Sequence, residues 1–372
     1  MPRAAPPRIL AINAGSSSLK WTLFATPRSR PPCISLPWRS SSSSERREQF
    51  VALLKNIGHL DAVGHRVVSI GTQYQSPMRL TKAVRHDFEQ QAASAPLHLH
   101  DALAAINAVR EVMPEVPQIL LFDSHFHDTL PEAASIYALP REWTRRWQLR
   151  RQGFHGLSIQ WAVQRTRQLL HTLPQRIIVC HLGSGCSVTA IEHGRSIDTS
   201  MGYSTLEGPA MGTRSGSVDP GLLLQLLIEH RITAKRLRKV LHHDSGLLGL
   251  SGVSGDIRLV QQAASAGVAE AQSALDHFIW SLRRSIGAMC GVLGGVDALV
   301  FTGGIGEHQP AVRAALTQAI QGCEVDAVRN AQATTDAVIS TRQSTVKVLV
   351  VQAREDRVML SEMLRVLRTS AT

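Results

Sequence analysis

The chain has 372 residues, 44% of them hydrophobic, and carries 40 Lys and Arg against 29 Asp and Glu, a formal net charge of +11. That length exceeds one ordinary domain and predicts two, each able to bury a core, while the lack of any run of 18 apolar residues excludes a membrane-spanning helix. The cations are dispersed, and runs such as RLRK (236–239) and TRRWQLRR (144–151) are short, so the charge reads as a solvated surface and no nucleic-acid partner is expected.

The start, MPRAAPPR, lacks the apolar stretch of a signal peptide. The five cysteines are scattered without a CxxC pair. A reduced, cytoplasmic protein with no membrane partner is therefore expected. The segment ILAINAGSSSLKWTLF, Ile9 to Phe24, reads as strand, small polar turn, strand. Residues 28–48 are rich in Pro and Ser, lack periodicity and read as a mobile insertion. AVGHRVVSIG is a short β-branched run with a glycine exit, and a helical pattern runs from Phe88 to Val112. Ile119–Phe122 is a buried strand ending at Asp123, and GLSIQWAVQRTRQLL is an amphipathic helix. QRIIVCHLGSGCSVTAIEHGRSID repeats strand, glycine loop, strand. Pro220 to Val292 is mostly helical, DALVFTGGIGEH is a strand and glycine turn, a helix follows from Pro310 to Ala319, and VKVLVV runs into a terminal amphipathic helix.

Three glycine-containing tips, NAGSSS, HLGSGCS and FTGGIGE, each follow a buried strand. Glycine lets backbone approach a ligand closely, and consecutive amides make an anion cradle. One such loop is an ordinary turn; three in one chain point to an enzyme that handles nucleotide phosphates. None has the spacing of a P-loop or of a dinucleotide fingerprint. Aligning Gly15 with Gly183 also matches Ile9 with Ile177 and Ser16 with Ser184, an echo that suggests two related halves. The HxH pairs His98/His100 and His125/His127 could chelate zinc from a strand, but LHLHDAL leads into a helical pattern and no cysteine accompanies either pair.

INAGSSSLKW, GFHGLS, HLGSGCS, DTSMGYSTLEGPAMGTRSGSVDPG and FTGGIGEH together resemble acetate kinase and the related short-chain acyl kinases. The resemblance runs from Ile9 to the terminal helix and fades over 25–62. It implies an α/β fold of two ribonuclease-H-like halves with a central cleft, as in sugar kinases, actin and heat-shock ATPases. The implied domains are 1–146, completed by a terminal helix at 356–372, and a nucleotide-binding and dimerisation domain at 147–355. A homodimer is expected on the same ground.

The resemblance also implies roles. Asn13, Ser16, Ser18 and Lys20 match the first phosphate loop, and Arg66 and Arg214 match two essential arginines. Guanidinium forks suit a carboxylate acceptor and a phosphoryl group better than lysine does. His155 matches a histidine that hydrogen-bonds the migrating phosphoryl group. Asp123, Glu355 and Asn13 match a site for Mg²⁺, or Mn²⁺. His181, Gly183, Ser184 and Gly185 form the second phosphate loop. Asp256, Ile257 and Arg258, with Gly304, Ile305 and Gly306, would contact the adenosine of ATP. Val68, Leu97, Phe154 and Thr205 would line the acyl pocket. The implied reaction is ATP-dependent phosphorylation of a short carboxylate, acetate first, giving an acyl phosphate and ADP.

Three departures bear on substrate and donor. The family's HRVVHGG is here HRVVSIG, with Ser69 and Ile70; its loop asparagine is Ser184; and its TPLEG is STLEG, so Thr205 replaces a proline of the acyl pocket. Propionate, butyrate or a hydroxylated acid, and a non-kinase ATPase or binding relative, remain alternatives at this point.

Overall fold

The computed structural model describes residues 7–14, 18–25, 34–37, 43–68, 74–94 and 99–369. Ser16 and Leu97, with Gly15, Ser69, Ile70 and His98, lie outside the described residues, as does the side chain of Ser18.

The chain divides into two compact units, one running to His125 and resuming at Arg354, the other Phe126–Ala353. The sequence-based division was 146/147, with the return at 356. Residues 126–146 group instead with the second unit, where Ile136 bridges Arg150 and Thr129 Oγ1 donates to the Ser196 carbonyl.

The first unit holds strands β1 (Ile9–Ala14), β2 (Ser18–Phe24), β3 (Ile34–Pro37), β4 (Ala62–Val67), β5 (Met78–Arg79) and β6 (Gln118–Phe122) in the order β3-β2-β1-β4-β6-β5. The β1–β2–β3 ribbon is antiparallel, and β1, β4 and β6 run parallel. The parallel strands are mostly apolar because both faces are covered, with Asn13, His65, Arg66 and Gln118 the polar exceptions. On one face, Leu10, Ile12 and Leu19 pack with Phe50 and Leu54 of helix α1 (Ser43–Ile57) and with Ala105 and Val109 of α3 (His100–Val112). Phe88 of α2 (Lys82–Ser94) joins Phe122 and Ile106 in a neighbouring cluster. Against the other face lies the terminal helix Glu355–Thr369, whose Met363 sulfur would stand 2.3 Å from a Cβ at Gly64.

The second unit repeats this plan. Strands β7 (Arg176–Leu182), β8 (Cys186–Glu192), β9 (Arg195–Thr199), β10 (Ala298–Thr302), β11 (Ala337–Val338) and β12 (Lys347–Val350) order as β11-β12-β10-β7-β8-β9. Reading outward from β1 and from β7 gives the same sequence of partners: an antiparallel hairpin on one side, parallel strands on the other. This is the duplicated ribonuclease-H-like fold, and the pairing of Ile9 with Ile177 equates its two first strands.

Two expectations need correction. The described part of 28–48 is regular: Ile34–Pro37 pairs with β2, and Ser43 opens α1. The apolar period of α1 starts only at Phe50, so its Ser- and Arg-rich first turns read as loop. The helical pattern over 88–112 is divided between α2 and α3, and Pro96, which cannot donate an interior helix hydrogen bond, falls in the interval.

Candidate active site

In the first unit the predicted residues gather at the carboxyl ends of the parallel strands. Asn13 sits near the end of β1, opposite Lys20 across the hairpin. Arg66 and Val68 lie at the end of β4, and Asp123 follows β6, its amide bonded to the Val67 carbonyl at 2.9 Å. Glu355, distant in sequence, opens the terminal helix. Arg66 Nη1 donates to Asn13 Oδ1 at 3.1 Å and Nη2 to Asp123 Oδ2 at 2.6 Å, while Asn13 Nδ2 donates to Glu355 Oε2 at 2.5 Å. Arg66 Nε is buried without a partner among the described residues.

The electrostatics follow from that packing. Burial works against the charge on Arg66, yet Asp123 and Glu355 outweigh it and hold the guanidinium firmly protonated. Burial pushes the Glu355 carboxyl up, with Arg66 and Lys20 opposing and Asp123 adding to the rise. Two carboxylates and an amide are a hard oxygen donor set, which fits a Mg²⁺-sized cation that keeps several waters and takes few protein ligands. No group of three or more His, Cys, Asp or Glu side chains suited to a metal occurs among the described residues, so the site would rest on these two acids with Asn13.

In the second unit the glycine loop between β7 and β8 meets two other segments. His155 precedes the helix Gly156–Leu170 and has φ +61°, a left-handed conformation uncommon outside glycine and often found at functional sites. Its Nδ1 lies 2.9 Å from Ser187 Oγ, and its ring stacks on His181 with centroids 4.0 Å apart. His181 Nδ1 lies 2.8 Å from Ser158 Oγ. A Cβ at Gly185 would stand 3.1 Å from Arg214 Nη1 and 3.3 Å from His155 Nε2, so a glycine there is what lets those groups approach the loop. Arg214 Nη1 donates to the Thr205 carbonyl at 3.2 Å. The Gly183 amide bonds the Gly185 carbonyl, and the Gly212 amide bonds the Ser184 carbonyl, tying the loop to the segment that carries Arg214. Phe154 and Thr205 are buried.

Ser158 and Ser187 were missed by sequence reasoning, although both lie inside quoted motifs, GFHGLS and HLGSGCS. Their hydroxyls fix which way each imidazole faces.

Two further predicted segments have clear local roles. Asp256 caps the helix Ile257–Ser265, accepting from the Arg258 amide at 3.0 Å and from the Arg258 guanidinium at 2.6 Å. FTGGIGE is not a loop: Gly303–His308 is a helix beginning directly after β10. The turn is made at Gly303, with φ +78°, where a Cβ would meet the Leu182 carbonyl oxygen at 2.7 Å. Gly304 faces open space, Ile305 is buried, and a Cβ at Gly306 would be in ordinary contact with Phe301.

Comparisons with known proteins show the family. The profile described as Acetokinase family matches residues 45–361. An acetate kinase of Nostoc punctiforme is 44% identical over 308 residues, covering 82% of this chain and 76% of the relative. The crystal structure of Porphyromonas gingivalis acetate kinase superposes with a TM-score of 0.85 at 31% identity, covering 97% of this chain and 100% of the other. A propionate kinase from Francisella tularensis gives 0.85 at 30% identity, covering 96% and 98%. The chain belongs to the acetokinase family and is an enzyme, a carboxylate phosphotransferase.

Proposed function

We propose that the protein transfers the γ-phosphoryl group of ATP to a short-chain carboxylate, acetate first among them, reversibly and by direct in-line displacement. The observation that carries this reading is the approach of His155 Nε2 and Arg214 Nη1 to the backbone at Gly185.

A short acid is already ionised at neutral pH, so its oxygen needs no general base. The task is to hold two mutually repelling anions in line and to neutralise charge as it spreads over the migrating group. Arg214 and His155 donate to that group beside the amides of the 183–185 loop. Lys20 and Arg66 add positive charge, and the Nε–H of Arg66 is a donor for an incoming anion. Asp123, Glu355 and Asn13 would hold Mg²⁺ or Mn²⁺, which when bound with ATP offsets phosphate charge. Ser16, Ser18 and Ser184 serve the phosphates; Asp256, Ile257 and Arg258, with Gly304, Ile305 and Gly306 at the start of the helix after β10, serve the adenosine.

Acid choice rests on Val68, Leu97, Phe154 and Thr205. One methylene changes discrimination by about 1–3 kcal/mol, so propionate, butyrate and hydroxylated acids compete closely with acetate. The test is ADP release, with ATP and Mg²⁺, across a panel of short acids. Acid-dependent release supports the kinase and ranks its substrates; release that ignores the acid identifies an ATPase.

A homodimer is part of this reading. The helix Pro220–Ile228 is apolar along most of its length yet has no buried residue, leaving Ile228 71% exposed, and Trp280 of the same unit is 63% exposed. Apolar area of that kind favours a second copy. Free thiols at Cys180, Cys186, Cys290 and Cys323 accord with a reducing, cytoplasmic setting, and no helix among the described residues is long and apolar enough to cross a membrane.

A further inference from the structure

The first unit has a second concentration of positive charge, at the end of the sheet opposite Arg66 and Asp123. Arg79 ends β5, Lys82 opens α2, and Arg85 and Arg110 come from α2 and α3; all four line one cavity of about 520 Å³. The only acid in its lining is Glu115. Arg85 is engaged by Glu89 at 2.9 Å, but the side chains of Arg79, Lys82 and Arg110 have no hydrogen bond or ion pair among the described residues. The positive end of the α2 dipole adds to the same field. Gln118, the first residue of β6, also lines the cavity, while Asp123 follows the last. Five strand residues separate the two sites by about 17 Å.

Like charges that repel one another around a cavity lower their free energy when an anion enters. Four cations less Glu115 and the Glu89 that engages Arg85 leave a net charge of +2, half of which one singly charged anion would leave uncompensated. A nucleic acid is read along an extended basic stripe, whereas these cations ring a single concavity of the size that takes small ligands. We propose that this cavity binds a small molecule carrying a chain of two or more phosphates, at a site separate from the candidate active site. The proposal does not depend on the kinase reading.

The test is calorimetric titration of the full chain with inorganic tripolyphosphate at low salt, comparing wild type with R79Q/R110Q. Wild type should bind one more equivalent than the variant, and raising salt from 50 to 200 mM should weaken that extra site severalfold. K82Q alone should weaken it three- to tenfold, which decides the matter if the double variant unfolds. A parallel titration with GTP separates the sources: tighter extra binding than tripolyphosphate assigns a nucleoside polyphosphate, equal or weaker binding assigns inorganic polyphosphate. Equal stoichiometry and affinity in wild type, R79Q/R110Q and K82Q would overturn the proposal. So would dependence on these residues for a single-stranded oligonucleotide but not for tripolyphosphate.

Discussion

Arg66 Nη2 lies 2.6 Å from Asp123 Oδ2, and that carboxylate is 1% exposed. The pair therefore has a structural duty as well as its proposed chemical one. Removing one partner of a buried pair leaves the other charge stranded and typically costs about 3–5 kcal/mol. R66A should lower both turnover and thermal stability. R66K, which keeps the charge but not the fork, should recover much of the stability and little of the activity. Thermal melts and ADP-release assays on the two variants check this. An R66A protein as stable as wild type contradicts it.

Arg214 is the second arginine assigned to the transferring group. Its Nη1 donates to the Thr205 carbonyl and, at 3.6 Å, to the Met211 sulfur. R214A should lose about 10²–10³-fold in turnover, the range seen when one transition-state donor is deleted. S187A, which frees the His155 ring, should lower turnover by a smaller factor with the melting temperature nearly unchanged.

His65 is buried in β4, with Nε2 2.8 Å from Gln118 Oε1 and Nδ1 buried without a partner. Burial lowers its pKa to about 4, against the opposing effect of the hydrogen bond that Nε2–H donates to Gln118. Between pH 6.5 and 4 the unfolded chain takes up a proton that the folded chain refuses, so the neutral ring's contribution is complete above pH 6.5 and is lost as pH falls. Going from pH 7.5 to 5 should cost roughly 2 kcal/mol at this residue. Urea midpoints at both pH values should show a smaller acid loss in H65Q than in wild type. Equal losses would rule His65 out as the cause.

The doubled glycine of FTGGIGE separates fold from ligand. G303A must place a Cβ against the Leu182 carbonyl at positive φ and should destabilise by about 1–3 kcal/mol. G304A meets nothing within 4 Å, should fold normally, and should weaken nucleotide binding if the start of this helix holds adenosine. Melting curves and ADP titrations distinguish the two.

The homodimer prediction concerns the face of Pro220–Ile228. L224D/I228D should elute as a monomer in size-exclusion chromatography where wild type elutes as a dimer; a monomeric wild type contradicts it.

Much of the fold was legible because the informative signals are local. A buried run, a glycine tip and a second buried run identify both central hairpins, and Ile9 and Ile177 stand in equivalent strands. Asn13, Arg66 and Asp123 were singled out by the family resemblance, and their meeting is set by the parallel register of β1, β4 and β6. What stayed hidden was non-local or weakly patterned. The serine- and arginine-rich start of α1 carries no apolar period. Gly303 and Gly304 look alike in sequence, and only the nearby Leu182 carbonyl separates them. Arg79, Lys82 and Arg110 are dispersed in sequence and converge only when β5, α2 and α3 pack.

The central claim is phosphoryl transfer to a carboxylate, and ³¹P NMR of the full chain with ATP, Mg²⁺ and acetate tests it most directly. The account predicts a new acetyl phosphate resonance that grows with ADP and is absent in R214A. Accumulation of inorganic phosphate alone, from the first time point, would contradict it.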